Sequence, residues 1–292
     1  MRFQSLNNIS ILEIADAFTA AFHDYFISIS FNEATLKTKI DLEDIYLNYS
    51  VGAFHNNKLV GFILHGFRKL DGENCFYNAG TGVLPEYRGN NLTYKMYNYF
   101  FEQINDKDKY KISLEVIFEN NNAIKSYEKV GFKKSDILNC YKINNQLNLN
   151  RNQFNFSEVP ISEVEAIVKA ENYCFEWQND ILNKAVTFQN IKIIAAKSEQ
   201  KTIGFVLFNT VNMRVIQIIA VKNFRRQKVA SSLLSYLYRT YDEKISIINV
   251  SDYNSSVNAF LINVGFKVYL KQFKMTYNKS FVPSLETPTC LR

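Results

Sequence analysis

The sequence predicts a mixed α/β protein in which one architecture, a sheet with helices on both faces, is built twice in succession. Three observations predict it. The order helix, antiparallel strands, then strand–loop–helix–strand–helix–strand runs through the first half and again through the second, and such an order packs helices on both faces of a sheet. Landmarks recur at a long, steady offset: Gly131-Phe132 returns as Gly265-Phe266, 134 residues on, and Arg88 returns as Arg225, 137 residues on. A solenoid repeats every ~20–50 residues, so this period marks a duplicated domain. Finally, 292 residues at 47% hydrophobic and 21% charged suit two domains of about 100–200 residues, each with its own core. The division is placed at residues 1–147 and 148–292.

In the first half, Ile11, Ile14, Ala15, Phe18 and Phe22 fall at helical spacing, predicting a helix over residues 10–22. Asn32 is a helix N-cap and predicts a second, short helix. Ser50–Phe54 and Leu59–Phe67 flank Asn56-Asn57, a hairpin turn signal. Cys75–Val83 reads as a strand, Leu92–Ile104 as a helix, Lys111–Phe118 as a strand, Asn121–Val130 as a helix and Asp136–Ile143 as the last strand. The Asn-rich segment Asn144–Phe156 reads as the linker. The second half follows with a helix at Ser162–Cys174 and strands Ile191–Ala196, Thr202–Phe208 and Val215–Val221. Helix Ala230–Tyr241, strand Ile245–Val250, helix Ser255–Val264 and strand Phe266–Tyr277 complete it. Residues 278–292, with Pro283 and Pro288, read as a loose tail.

Composition narrows the function classes. Net charge is +6, but lysines and arginines are spread along the chain and cluster only at Arg225-Arg226 and Lys133-Lys134. No basic stripe marks a nucleic-acid partner, whereas an anionic cofactor accounts for a local excess. Cys75, Cys140, Cys174 and Cys290 show no CxxC pairing and no histidine at metal spacing, so they read as reduced thiols. With three histidines, a histidine-based metal site is not expected. The N-terminus lacks the apolar core of a signal peptide, and no run reaches about 18 apolar residues. The expectation is a cytoplasmic protein with no membrane and no nucleic-acid partner.

The repeated piece is a strand, a basic loop and a helix N-terminus. A helix N-terminus offers free N–H groups and a partial positive charge, the usual cradle for pyrophosphate. The two loops are Arg88-Gly89-Asn90-Asn91-Leu92-Thr93, leading into Tyr94, and Arg225-Arg226-Gln227-Lys228-Val229-Ala230. After the first comes Asn120-x-x-Ala123-x-x-x-Tyr127-x-x-x-Gly131-Phe132. This constellation resembles the GNAT superfamily of acetyl-CoA-dependent N-acyltransferases, whose loop is Arg/Gln-x-x-Gly-x-Gly/Ala and whose second motif the first copy matches in full. The chain is similar to bacterial two-domain GNAT proteins, in which Tyr-Asn-Ala-Gly-Thr-Gly-Val precedes the first loop; here that is Tyr77 to Val83. The departures are Asn91 and Thr93 in the first loop, where the family prefers small residues. In the second copy they are Lys228 in the loop, Leu261 for the tyrosine and Val257 for the alanine.

The resemblance implies two tandem GNAT-like domains, each a mostly antiparallel twisted sheet flanked by helices, the first catalytic and the second degenerate. It implies an N-acetyltransferase using acetyl-CoA, without a metal, on a primary amine of a small molecule or peptide, and it leaves room for a homodimer. The backbone of Gly82 and Val83 would lie against pantetheine and acetyl. Arg88 would add charge, and Gly89, Asn90, Asn91, Leu92, Thr93 and Tyr94 would hold pyrophosphate. Asn120, with Ala123, would meet the pantetheine arm, and Tyr127 would be the general acid. The loop Arg225, Arg226, Gln227, Lys228, Val229, Ala230 is a second candidate cofactor loop.

For a base the residues themselves point to Glu115, a carboxylate in the apolar strand Leu114-Glu115-Val116, where desolvation raises a pKa. Glu86 and Asp24 are its rivals. The cluster His23-Asp24-Tyr25-Phe26 is the candidate acceptor site, with Asp24 and Tyr25 as contacts. The competing reading is a non-catalytic module that binds acyl-CoA and signals its occupancy.

Overall fold

The computed structural model describes residues 1–27, 29–70, 72–104, 109–143, 154–171, 173, 175–241 and 244–277. Two compact units emerge. The first comprises Met1–Ser135 with residues 273–277, and the second spans Asp136–Gln272.

The first unit opens with strand β1 (Arg2–Ser5), then helices α1 (Ile11–Phe22) and α2 (Glu33–Leu42). Ser10 caps α1 by accepting the Glu13 N–H, and Asn32 and Thr35 form a reciprocal capping box on α2. Strands β2 (Val51–His55) and β3 (Lys58–Leu70) meet at Asn56-Asn57, whose φ values of 49° and 62° are those a tight hairpin needs and asparagine tolerates. Then come β4 (Glu73–Val83), α3 (Leu92–Gln103), β5 (Tyr110–Ile117) and α4 (Asn121–Val130), the last closed by Gly131 at φ 114°. The sheet runs β1-β2-β3-β4-β5 and is extended beyond β5 by residues 273–277. β1 to β4 are antiparallel neighbours, while β4 and β5 are parallel. Helix α1 presses Phe18 onto Phe62 and Gly80 on one face, and α3 stacks Phe100 on His65 on the other.

The second unit holds most of β6 (Lys133–Ile143), then β7 (Asn155–Glu158), α5 (Ile161–Glu171), β8 (Ile191–Ser198), β9 (Lys201–Asn209) and β10 (Arg214–Ala220). It ends with α6 (Val229–Thr240), β11 (Ser246–Ser251), α7 (Ser255–Asn263) and β12 (Phe266–Tyr277), whose last five residues belong to the first unit. The strand order is β12-β6-β11-β10-β9-β8-β7. Its core joins Ile194, Val206 and Phe208 to Leu233, Leu234 and Leu237 of α6.

The compact units cross the linear division at residues 147 and 148. β6, the closing strand of the first half, pairs with β11 from Ser246↔Lys142 to Ser251↔Leu138. Tyr277, at the end of the second half, packs on Phe101, Phe132 and Gly131. The first half thus gives most of its last strand to the second unit, and the second half gives the last five residues of β12 to the first. β1 and β7 went unpredicted: each is short, and β7 begins inside the segment read as linker, most of which, like the tail at 278–292, falls outside the described residues.

Candidate active site

The site begins with a break in the first unit's sheet. β4 and β5 pair from Asn74↔Tyr110 only as far as Asn78↔Leu114. Beyond that, residues 80–83 stay paired to β3 and leave β5, so the two parallel strands open like a wedge. The cause is a bulge: Leu64 pairs with Gly80 but His65 with Asn78, leaving Ala79 as the extra residue that bends the strand. Glycine is required beside the opening, because a Cβ on Gly82 would lie 2.5 Å from the Phe62 ring and 2.9 Å from Ala21.

From β4 the chain makes one 3₁₀ turn, Pro85–Tyr87, and reaches α3 through Gly89 at φ 80° and Asn91 at φ 56°. Asn91 is the N-cap residue, yet no side chain caps the helix, so the first-turn N–H groups of α3 face outward. Asn90 folds back, donating to the carbonyls of Tyr87 and Arg88. Leu92 is buried and anchors the helix, while Thr93 and Tyr94 lie at its start.

Arg88 is engaged within the chain itself. Its guanidinium grips Asp24 with two bonds of 2.6 and 2.7 Å and donates further to the carbonyls of Ala21 and Val83. It is a brace between the loop and the end of α1, with its charge answered by a carboxylate. The hydrogen bond from Arg88 is also what holds the Asp24 pKa down at about 2. Asp24 is therefore a partner of the loop arginine, with its side chain still 43% exposed.

Tyr127 lies on the opening itself. It is buried, and the polar side chains of Thr81 and Asn78 on the bulged strand temper the effect of that burial on its hydroxyl. Burial pushes its pKa up to about 12, so it carries its proton at any ordinary pH. Asn78 organises the set, donating to the Thr81 and Tyr97 hydroxyls and accepting the Gly80 N–H. Asn120 caps α4 through the Ala123 N–H at 3.1 Å and donates to the Tyr25 hydroxyl at 3.3 Å. Its side chain is thus spent on the fold, and Tyr25 is drawn to the motif helix. Burial raises the Tyr25 pKa as well.

Glu115 stands one residue past the last β4–β5 pair, half-buried, and accepts a hydrogen bond from the Tyr77 hydroxyl. Tyr77 and Asn78 are consecutive in a strand, so their side chains leave opposite faces. The structure therefore sets Glu115 and Tyr127 on the two sides of the opening and not in one hydrogen-bonded group. Glu86 is exposed and 3.7 Å from Lys58. A cavity of about 720 Å³ beside α1, lined in part by Glu13, Asp16, His23, Lys58 and Glu86, includes none of Tyr127, Glu115 or Asn120.

The second unit repeats the loop and closes the opening. Arg225 is braced as Arg88 is, donating to the Ala220 carbonyl at 3.3 Å, to Glu171 at 2.5 Å and to the Tyr173 hydroxyl at 2.9 Å. Arg226 and Lys228 take φ values of 62° and 65°, the same left-handed steps as Gly89 and Asn91. Gln227 bonds back to the Asn223 carbonyl, and Val229 and Ala230 begin α6 without a side-chain cap. β10 and β11 pair at only two positions, Arg214↔Ser246 and Val215↔Ile247. A 3₁₀ turn, Trp177–Asn179, then bridges the diverging strands. Gln217 and Arg214 of β10 bond to it at 2.7–2.9 Å, and Asn179 and Gln178 reach Ile248 and Asn249 of β11 at 3.0 and 3.2 Å. Leu261, fully buried, stands at the position of Tyr127.

Sequence reasoning missed Asn78, Thr81 and Tyr77 as members of the site, although all three lie in the Tyr77–Val83 stretch. Strand alternation could have separated the two faces, but the bulge at Ala79 resets it. Among the described residues no group of three or more His, Cys, Asp or Glu could hold a metal, and no helix is long and apolar enough to cross a membrane.

Residues 13–132 match the acetyltransferase (GNAT) family. No curated protein matches the chain. Among solved structures, a tandem GNAT protein from the clavulanic acid biosynthesis pathway aligns at TM-score 0.72 and 12% identity, covering 94% of this chain and 97% of that one. A GCN5-related N-acetyltransferase from Sphaerobacter thermophilus aligns at 0.68 and 13%, covering 94% of each. An acetyltransferase of the GNAT family from Colwellia psychrerythraea aligns at 0.62 and 12%, covering 95% and 100%. At such identities the structures speak to the fold, and the match over 13–132 speaks to the family. Over residues 13–132 the chain is similar to the acetyltransferase (GNAT) family, and its fold is that of a tandem GNAT protein.

Proposed function

We propose that the first half transfers an acetyl group from acetyl-CoA to a primary amine. The observation that carries this is the wedge past Asn78↔Leu114, with a protonated tyrosine hydroxyl at its lip and an uncapped helix N-terminus at the end of its loop. An extended anionic thioester fits these features. The amides of Gly89 to Tyr94 suit its pyrophosphate, and the unpaired edge of Gly82 and Val83 suits the pantetheine amides.

Acetyl-CoA supplies an activated acyl carbon. The residues hold the amine beside it and move two protons. Glu115 takes one from the substrate ammonium, freeing the amine lone pair that attacks the acyl carbon, its Tyr77 partner fixing the carboxylate in place. Tyr127 gives its own to the departing sulfur as the C–S bond breaks and the amide C–N bond forms. The second half, with Leu261 for tyrosine and a bridged opening, is read as supporting the first. The acceptor is a small-molecule or peptide amine, with no role for nucleic acid or membrane.

The test is calorimetric titration with acetyl-CoA, followed by thiol release across an amine library. One site per chain with turnover supports the reading. Binding without turnover on any amine would move the protein to the non-catalytic acyl-CoA sensor. No binding would end the acetyltransferase reading.

A further inference from the structure

The pyrophosphate cradle needs a cation, and the loop's own arginine is taken. Arg88 spends its donors on the Asp24 carboxylate and on the Ala21 and Val83 carbonyls. We propose that Lys129 of α4 is the residue that meets the pyrophosphate. This rests on the reading of the first half as an acetyl-CoA site.

The ammonium of Lys129 is 2.9 Å from the Asn91 side-chain oxygen and 5.5 Å from the centre of the Tyr94 ring. Both partners are neutral, and both belong to the N-cap and first turn of α3. Lysine is a compact point charge on a flexible stem, so it can leave an amide oxygen for a phosphate oxygen with little backbone movement. The uncapped N–H groups of α3 favour an anion at the same place.

The internal repeat supplies an independent observation. By the 137-residue offset of the loops, Asn91 corresponds to Lys228, and by the 134-residue offset of the Gly-Phe pairs, Lys129 corresponds to Asn263. The first copy places asparagine in the loop and lysine on the following helix; the second places lysine in the loop and asparagine on the helix. At this pair of positions each copy holds one lysine, and it comes from opposite sides. Lysine at position 228 also sits in a left-handed conformation that disfavours it, at φ 65°.

The test compares the native chain with Lys129→Met, which keeps the stem over Tyr94 and removes the charge, and with Lys129→Arg, which restores it. Each is titrated with acetyl-CoA and with its 3′-dephospho form, and far-UV circular dichroism checks folding, which an exposed side chain leaves intact. Loss of one charge-assisted hydrogen bond raises Kd roughly 10- to 100-fold. Lys129→Met is expected to lose that factor for both ligands alike, and Lys129→Arg to recover most of it. Native affinity in Lys129→Met overturns the proposal. So does a loss confined to acetyl-CoA, which would put the lysine on the 3′-phosphate. Failure of the native chain to bind either ligand would instead overturn the acetyl-CoA reading itself, and this inference with it.

Discussion

His65 makes the first unit acid-sensitive in a defined window. It is fully buried on β3, its Nδ1–H donates to the Tyr49 carbonyl at 2.9 Å, and its ring stacks on Phe100 with centroids 3.9 Å apart. Nε2 is buried and has no partner, so a second proton there would be a charge without solvent or acceptor. Burial accordingly drives the pKa from 6.5 down to about 3. The folded-state value is depressed, so the stabilisation is present above the unfolded value near 6.5 and is lost as pH falls from 6.5 towards 3. At ~1.36 kcal/mol per unit, going from pH 7 to pH 5 costs about 2 kcal/mol, and the full loss by pH 3 is roughly 5 kcal/mol. The carboxylates held low, Asp24 and Glu163, titrate below 3.8 and 4.5 and so do not contribute in the upper part of the window. His65→Asn keeps a donor for the Tyr49 carbonyl and cannot titrate, so it should be less stable at pH 7 but flatter with pH. Urea unfolding followed by circular dichroism at pH 7, 6 and 5 measures both slopes. Equal slopes in the two proteins, or a His65 ring resonance titrating near 6.5 by NMR, would refute the buried-neutral assignment.

Tyr127→Phe removes the proton donor without touching the loop; kcat should fall roughly 10²- to 10⁴-fold in thiol-release assays, while calorimetry shows acetyl-CoA affinity unchanged. Gly82→Ala drives a methyl to 2.5 Å from the Phe62 ring and should destabilise the first unit by about 1–3 kcal/mol, read as a lower urea midpoint. Lys228→Gly relieves a left-handed conformation costing a lysine ~1 kcal/mol, so the second unit should melt slightly later by the fluorescence of Trp177, the chain's single tryptophan.

Much of the fold was legible because periodicity and punctuation agree. α4 and β12 fall on their predicted residues, since an Asn N-cap and a Gly-Phe stop bracket the first and an unbroken β-rich run forms the second. β1 and β7 were not legible, because four residues give too little alternation to outweigh their polar flanks. The crossing of the last strands could not be read either: period-two patterning states which face is buried, not which neighbour a strand will take. In the site, Tyr127 and the loop were legible from spacing. The fate of Arg88 was not, because its partner lies 64 residues away and only the folded chain brings them together.

The two arginine braces show what the duplication kept and what it let go. In each copy the guanidinium bonds the carbonyl five residues back, Val83 or Ala220, and a carboxylate from the first helix region of its own half. Those carboxylates are not equivalent residues. Asp24 follows α1, whereas Glu171 is the last residue of α5. The same loop shape is thus reached with different partners, and in the second copy it is held by side chains that its φ values disfavour. The opening below the loop did not keep its form. In the first copy it ends at a tyrosine hydroxyl; in the second, hydrogen bonds from Trp177–Asn179 tie its strands together and a leucine replaces the phenol. A loop can be retained for its geometry alone, because it shapes the strand–helix corner. A proton donor at the lip of an open wedge is useful only where an acyl group arrives, and that asymmetry supports assigning the chemistry to the first half.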